Sequence, residues 1–331
     1  MSRAVFRRSQ LAPEAVYGTA LAPTHQLAGA LALTNQPQRE RRIERRNSMG
    51  GSNVWTDYAY RCAGTYAGRA VTNELPFIFA ASIRGDVAPA AGLWTYTQPL
   101  STIPALKPLT LYAGDNTQAM RAAGCYVEDW TLEAQDTGAV MLNATILGRE
   151  MVTGSFDTAK VTMPGDTAKN LLTFVSIDDT AAGIGTGVLA GTVYGWRVQW
   201  NSGIAPDYTM DMALDMKDIH RDEPEITLTL TAKFNASAVA EFSAYRLLTK
   251  RYIRILNVGA YHSGTSGPRH TLTIDGCYVC TEFVQIAEER DGTTRCTLTL
   301  RAVEDAAWTA GGKQFEVTVL NTLTASDLPV V

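Results

Sequence analysis

The stretch GCYV at residues 124–127 decides the fold of this chain, because the same four residues return at positions 276–279. The two copies lie 152 positions apart (277 − 125). Each copy opens an extended run that ends near a glycine, Gly138 in the first copy and Gly292 in the second. After each glycine, apolar residues occupy every other position, which is typical of a half-buried strand. Each copy therefore predicts a β-hairpin.

A second pair of matching stretches lies upstream of the two hairpins. Apolar and polar residues alternate over Tyr58–Tyr66 and again over Ile226–Phe234, at an offset of 168 (226 − 58). The smaller offset of the hairpins means that the first copy carries 16 extra residues (168 − 152), and the proline-containing segment Asp86–Pro108 is where we place them. The pattern favours two copies of one fold.

Each half contains one window suited to a helix, Arg69–Ala81 in the first and Ser237–Thr249 in the second. Pro76 predicts that the first helix is shorter, kinked or late to start, because proline lacks a backbone N–H. The second window predicts one apolar stripe covered by a sheet, formed by Ala238, Phe242, Tyr245 and Leu248.

The remaining segments are predicted to be connections and arms. Residues 1 to about 30 lack a sustained helical or strand period of apolar residues. They predict an arm that becomes ordered only in contact with a neighbouring subunit. Residues 151–190 form a long linker, and the C-terminal tail contains one strand, Phe315–Leu320, before a loose end that is a candidate second arm. We therefore predict a mainly β protein with two domains, 1–155 and 156–331, each with one flanking helix.

Composition restricts the function classes. The chain has 331 residues, 46% of them hydrophobic and 19% charged, with a formal net charge of −4. These values indicate a globular protein with no need for a polyanionic partner. No apolar run reaches about 18 residues, so no transmembrane helix is predicted, and the arginine-rich start is not a secretory signal. Five cysteines without framework spacing predict buried free thiols.

Each motif that could indicate a cofactor, a metal or catalysis lacks the accompanying residues that such a site needs. Gly185–Ala190 fits GxGxxA, but the residues after it predict a strand where a dinucleotide site needs a helix. Cys277 and Cys280 have CxxC spacing without a second pair, and in a strand their side chains face opposite sides. No metal, cofactor or catalytic residue is predicted, since no ligand or nucleophile spacing accompanies the four histidines, His25, His220, His262 and His270.

Two charged runs occupy equivalent places in the two halves. The acidic run does not follow the calcium-loop pattern, so it predicts a solvated face. Opposite charges on equivalent runs predict that copy one of one subunit meets copy two of the next. The candidate interface residues are Arg41, Arg42, Arg45 and Arg46 in the basic run and Asp207, Asp211, Asp215 and Asp218 in the acidic run.

The segment EAVYGTA at residues 14–20, the long strand pair, the single helix and the closing hairpin GCYVEDWTLEA resemble the tail tube (major tail) proteins of long-tailed bacteriophages. The resemblance implies an antiparallel β-sandwich or barrel flanked by a helix, and a structural rather than enzymatic role. In that family such folds associate edge to edge into rings, usually of six copies, and the rings stack into a hollow tube for DNA. Two copies per chain imply a trimeric, pseudo-hexameric ring.

The resemblance also implies a location, partners and a lumen. The protein is expected in the virion tail after assembly in the host cytoplasm, away from membranes, with itself, the tape measure, the distal tail and the terminator proteins as partners. Double-stranded DNA would pass without specific binding, so carboxylates should outnumber cations in the lumen. The lumen or ring-edge candidates are Glu128, Asp129, Glu133, Asp136, Glu282, Glu288 and Glu289. The loops Asp86–Pro108 and Met151–Ala190 and both arms are expected to bridge rings.

Two other function classes stay open at this point. A carbohydrate- or receptor-binding β-sandwich of the phage tail is also strand-rich, and it needs an aromatic platform. An enzyme that uses the glycine-rich segment is the second alternative, and a nucleotide-dependent shift in melting temperature would favour it. The platform candidates are Trp94, Trp196, Trp200 and Trp308.

Overall fold

The computed structural model describes residues 7–44, 52–98, 100–115, 117–163, 165–189, 191–210, 213–290, 292–308 and 312–328. The first half contains β1 (Arg8–Pro13), β2 (His25–Gln26), β3 (Ala30–Glu44), β4 (Ser52–Arg69), α1 (Leu75–Ala80), β5 (Leu93–Thr97), β6 (Leu109–Gly114), β7 (Ala119–Gln135), β8 (Met141–Gly148) and β9 (Glu150–Gly154). The second contains β10 (Thr173–Asp178), β11 (Val193–Asn201), β12 (Ile204–Asp207), β13 (Asp218–Arg221), β14 (Glu225–Lys233), α2 (Ala236–Arg246), β15 (Arg251–Tyr261), β16 (Arg269–Arg290), β17 (Thr293–Ala302) and β18 (Phe315–Leu320).

Eight strands of a 16-stranded antiparallel sheet form a run through both halves, called here the eight-stranded sheet, in the order β3-β4-β8-β7-β11-β14-β17-β16. The predicted mainly β, antiparallel fold is therefore confirmed. The pairing of β7 with β11 joins the two halves. Among the described residues, β3 pairs only with β4, and residues 282–290 of β16 pair only with β17, so the sheet ends in two open edges.

The GCYV copies mark the points where two long strands change partners. Cys125 lies opposite β6, whereas the next residue, Tyr126, lies opposite β8. In the second half, Cys277 lies opposite β15, and Tyr278 is the residue at which pairing with β17 begins. The strand portions before each motif also pair with β9 and β18, respectively. Both predicted hairpins, β7–β8 and β16–β17, are confirmed.

The core lies between the apolar face of the eight-stranded sheet and the elements that cover it. Trp130 on β7 and Trp200 on β11 are fully buried and stack with ring centroids 6.2 Å apart. Phe79 of α1 packs on Trp130, and Phe315 of β18 packs on both tryptophans. Side chains from both halves therefore share one core at the β7–β11 joint.

Both helices form, with differences from the predicted windows. Pro76 lies in the first turn of α1, so this helix starts late and is short, as its missing N–H predicts. In α2, Asn235 caps the N-terminus by accepting N–H groups of the first turn. The predicted covered stripe is wrong in part, because Phe242 is 38% exposed and Leu248 lies beyond the helix, 66% exposed.

The predicted N-terminal arm is wrong for residues 7–30. Strand β1 pairs with β6 along its whole length, and Gln10 and Leu11 are 0% and 1% exposed. At the other end, β18 has the predicted bounds but lies between β16 and β5, and Leu328 is 1% exposed. Both ends are therefore part of the folded chain within the described residues, and residues 1–6 and 329–331 lie outside them.

The predicted linker contains two strands. Strand β9 extends the first half by pairing with β7, and β10 extends the second half by pairing with β15. Between β10 and β11, the Asp178 carboxylate accepts the N–H groups of Gly185 and Gly187 at 2.9 and 2.8 Å and the Thr186 hydroxyl at 2.9 Å. This segment is therefore an ordered loop closed by one aspartate.

Candidate assembly surfaces

The eight-stranded sheet buries one face and presents a polar face on the other side. Along β14 and β17 buried apolar residues alternate with half-exposed threonines, as the period of a strand requires. On β7, Trp130 and Leu132 face the core, whereas Asp129 and Glu133 alternate with them. The polar face continues across the β7–β11 joint, so both halves contribute to it.

Carboxylates on this face are paired with arginines. The Glu133 carboxylate lies 4.0 Å from the Arg197 guanidinium on the adjacent strand β11. Likewise, Arg301 lies 3.6 Å from Glu225. Near the end of β7, Asp136 lies 3.4 Å from Arg295, a largely buried cation. Three carboxylates of this face, Glu133, Glu225 and Asp136, therefore form ion pairs with arginines, and the predicted excess of carboxylates in a lumen stays a prediction.

The other lumen or ring-edge candidates fall in two places. Glu128 is half-buried on β7, and burial, reinforced by the nearby Asp129 carboxylate, raises its pKa. Glu282 and Glu289 are exposed on the open portion of β16. The backbone of Glu288 pairs opposite Arg295, and its side chain lies outside the described residues. Whether they line a lumen stays a prediction.

The acidic run forms a small hairpin that is bound within its own chain. Asp207 on β12 lies opposite Asp218 on β13. Between these strands, Asp215 forms ion pairs with Arg149 and, at 3.1 Å, with Lys217. Although burial acts in the opposite direction, hydrogen bonds from Arg149 and Lys217 hold the pKa of Asp215 below its usual value. Asp211 lies outside the described residues.

The basic run lies in a long hairpin, β3–β4, at one end of the sheet. Arg41 and Arg42 belong to β3, although the side chain of Arg42 is outside the described residues. Arg45 and Arg46 lie wholly outside them. On the opposite strand Trp55 and Tyr58 are 63% and 55% exposed. The hairpin therefore carries both positive charge and exposed aromatic surface.

A buried glutamate fixes the first GCYV copy, and reasoning from the sequence did not single it out as a site. Glu14 is 0% exposed, and its carboxylate accepts N–H groups of Gly18 at 2.8 Å and Gly124 at 2.9 Å. It also accepts the Thr110 hydroxyl at 2.6 Å. Burial raises its pKa, although these hydrogen bonds act in the opposite direction. Its place in EAVYGTA is the only sequence signal.

The alternative sites lack the features that they need. The N–H groups of Gly185 and Gly187 are used by Asp178, and strand β11 follows the loop. All five cysteines are buried free thiols, as predicted. In the described part of the chain, no group of three His, Cys, Asp or Glu side chains is arranged to hold a metal ion. No described helix is long and apolar enough to cross a membrane.

The aromatic platform that a carbohydrate-binding protein needs is also missing at the candidate tryptophans. Trp94 and Trp200 are 0% exposed, Trp196 is 3% exposed and Trp308 is 6% exposed. A platform presents the face of an aromatic ring to solvent, whereas these four rings are packed in the interior. The prediction that these tryptophans form an aromatic platform for a carbohydrate or receptor is therefore wrong.

This β-rich architecture agrees with the comparison to protein families. The chain matches the family described as phage tail tube protein over residues 7–254. The match spans more than half of the chain, so the chain belongs to the phage tail tube protein family, which is structural and not enzymatic. Comparison with curated proteins gives no match.

Proposed function

We propose that this protein is the ring-forming subunit of a phage tail tube that conducts double-stranded DNA, with three chains in each ring. Each chain would supply two copies of the tube fold, so that the ring has pseudo-sixfold symmetry. The domain division at residues 155 and 156 belongs to the same proposal. The observation that carries it is the repeated order of strand pairing in the two halves.

The pairing order supports the two copies strand by strand. In the first half, β4 pairs with β8, β8 with β7, β7 with β6 and β6 with β1. In the second half, β14 pairs with β17, β17 with β16, β16 with β15 and β15 with β10. One helix follows β4 and one follows β14. The GCYV motif lies at the partner change in both series.

The open edges support closure into a ring. Within the chain, the second half joins the first where β11 pairs with β7. By the repeated order, β16 corresponds to β7 and β3 corresponds to β11, and both have an open edge. Pairing β16 of one chain with β3 of the next would repeat the internal joint. A closed ring would then pair both open edges of the eight-stranded run, which removes a route to aggregation.

The polar sheet face suits a conduit for DNA. A wall must not hold phosphates, because each phosphate gripped by Lys or Arg adds affinity. The guanidinium groups of Arg197, Arg301 and Arg295 are each engaged by a carboxylate. If this face lines the lumen, the duplex meets threonines and neutralised pairs. The protein would act in the virion tail, after assembly in the host cytoplasm beside tape measure, distal tail and terminator proteins.

An edge substitution tests the assembly. Ile286 is 61% exposed on the open portion of β16, so Ile286→Lys places a charge at the proposed joint. We expect the wild-type protein to form rings or tubes by electron microscopy and the variant to stay largely monomeric. Val161→Lys lies at an exposed position outside the edges, in a loop expected to bridge rings, so it should keep the formation of single rings whatever its effect on their stacking. A wild-type protein that remains monomeric at all concentrations would refute the proposal.

A second prediction concerns the lumen charges. The variant Glu133→Gln removes the partner of Arg197 without changing side-chain size. We expect its tubes to assemble and to retain double-stranded DNA, with binding that weakens steeply as salt rises, because exposed arginines bind phosphates. The matched control is Glu150→Gln, an exposed carboxylate on β9. Equal DNA retention by wild-type and variant tubes would mean that this face does not contact DNA.

A further inference from the structure

Resting on the ring proposed above, we infer that the β3–β4 hairpin of one chain docks in the groove beside Glu304 of the neighbouring chain. In this contact a basic hairpin would meet an acidic groove. In the corresponding contact inside each chain, the acidic β12–β13 hairpin meets a surface that carries an arginine. The inference names the surface by which one copy recognises the next. It rests on an internal contact that is visible in the structure, on strand register and on charge.

The internal contact is the docking of the β12–β13 hairpin onto the first half. Ile204 and Met216 of this hairpin pack with Tyr126 and Leu147, next to the first GCYV copy. Asp215 binds Arg149. The backbone follows the edge of β7, since the Ser202 N–H donates to the Glu128 carbonyl at 2.9 Å. An acidic hairpin is therefore seated in a slot that carries an arginine.

Strand register identifies the corresponding slot in the second half. Tyr126 lies opposite Leu147, and Arg149 follows two residues later. Tyr278 lies opposite Ala302, and Glu304 follows two residues later. The first slot, beside Tyr126 and Leu147, therefore carries Arg149. The second slot, beside Tyr278 and Ala302, carries Glu304 at the corresponding position.

The second slot is an open groove. Its volume is about 770 Å³, and its lining includes Ala302 and Glu304 together with Asp222 and Glu223. Two arginines also line it, but the Arg221 guanidinium donates to the backbone carbonyls of Ser82, Ile83 and Ser202, and Arg301 is paired with Glu225 at 3.6 Å. The accessible charge of the groove is therefore negative. The equivalent surface of the first half is already covered by the β12–β13 hairpin.

The hairpin that corresponds to β12–β13 has the opposite charge. Residues 207–218 contain four aspartates and one lysine, whereas residues 39–46 contain five arginines and two glutamates. Strand β3 would pair with β16 of the adjacent chain through its open edge. The residues of β3 after Gln36 would then continue beyond the paired part of β16, as β12 continues beyond the paired part of β7. The basic hairpin would thus reach the acidic groove, and exposed Trp55 would meet Ile103, which is 76% exposed at the groove.

Reversed charges give the contact its specificity. An acidic hairpin fits the slot with Arg149 and is repelled by the slot with Glu304, whereas the basic hairpin has the opposite preference. Like-charge contacts across an interface suppress wrong partners. The two halves would then alternate around the ring. Within the acidic run, Asp215 is already bound inside its own chain, so we place the basic run against the groove beside Glu304 rather than against the neighbour's acidic run.

Cysteine cross-linking tests this contact in the full chain. All five native cysteines are buried, so added thiols at exposed positions react selectively. We expect the double variant Arg41→Cys/Glu304→Cys, treated with a short bismaleimide after assembly, to give covalent dimers and trimers. Each single variant should stay uncross-linked. Rings that form normally but never cross-link through this pair would overturn the inference and leave the ring proposal standing, whereas a protein without rings overturns both.

Charge exchange provides the second test. Glu304→Arg should raise the concentration needed for ring assembly by roughly tenfold or more, because it places like charges in contact. Arg41→Glu/Arg42→Glu should do the same. Combining the two changes should restore assembly, while Glu304→Gln should have a small effect. Failure of the combined variant to recover, with circular dichroism like that of the wild type, would overturn the inference.

Discussion

Replacing Trp200 with alanine should lower the free energy of unfolding by about 3–5 kcal/mol, since large core aromatics cost that much to truncate. Trp200 is fully buried, stacks on Trp130 and contacts Phe315. Because β11 comes from the second half and β7 from the first, the cavity would open at the joint between them. Denaturant unfolding followed by circular dichroism measures the loss.

Trp55→Ala is the matched control. This tryptophan is 63% exposed on β4, so its removal should change the free energy of unfolding of the unassembled chain by no more than about 0.5 kcal/mol. The two variants lose the same side chain and differ only in its burial. Equal stability of the two variants would mean that Trp200 is not part of a shared core.

Replacing Glu14 with alanine should cost about 3 kcal/mol or more, because it leaves several buried donors without an acceptor. Glu14 accepts hydrogen bonds from Gly18, Gly124 and Thr110. The loss should be greatest around β1 and the first GCYV copy, where hydrogen exchange would locate it. Glu223→Ala, an exposed control, should leave stability within about 0.5 kcal/mol of the wild type.

The pH dependence of the Glu14 effect has a definite sign. Burial raises the pKa of Glu14 in the folded protein, so the folded state binds the proton more tightly than the unfolded state. The wild type should therefore gain stability relative to Glu14→Gln as pH falls through the folded pKa toward its ordinary value of 4.5. A difference between the two proteins that is constant with pH would contradict the assignment.

The local strand patterns were predictable because the residues that set them are neighbours in sequence. Alternation after Gly138 and Gly292 identified β8 and β17, and Phe315–Leu320 has the bounds of β18. Pro76 identified the late start of α1 because its effect is local. The buried free cysteines were predictable from their lack of framework spacing.

Features that depend on distant residues were not predictable in this way. The segment around Gln10 and Leu11 has no period of its own, and it is a strand because β6 supplies its backbone partners. Trp196 and Trp200, two of the rejected platform residues, are buried in a core that both halves share. Glu14 becomes a site only because Gly124 and Thr110 are folded against it. The residues that fix each of these features lie about 100 positions or more away in the chain, or they are brought together by the pairing of β7 with β11.

The number of chains in one ring tests the central claim most directly. Native mass spectrometry or a cryo-electron microscopy reconstruction of the assembled protein measures it. Our account predicts three chains, with two similar but distinguishable units per chain and β16 of each chain beside β3 of the next. A ring of six chains, or one in which β16 and β3 remain unpaired, would contradict it.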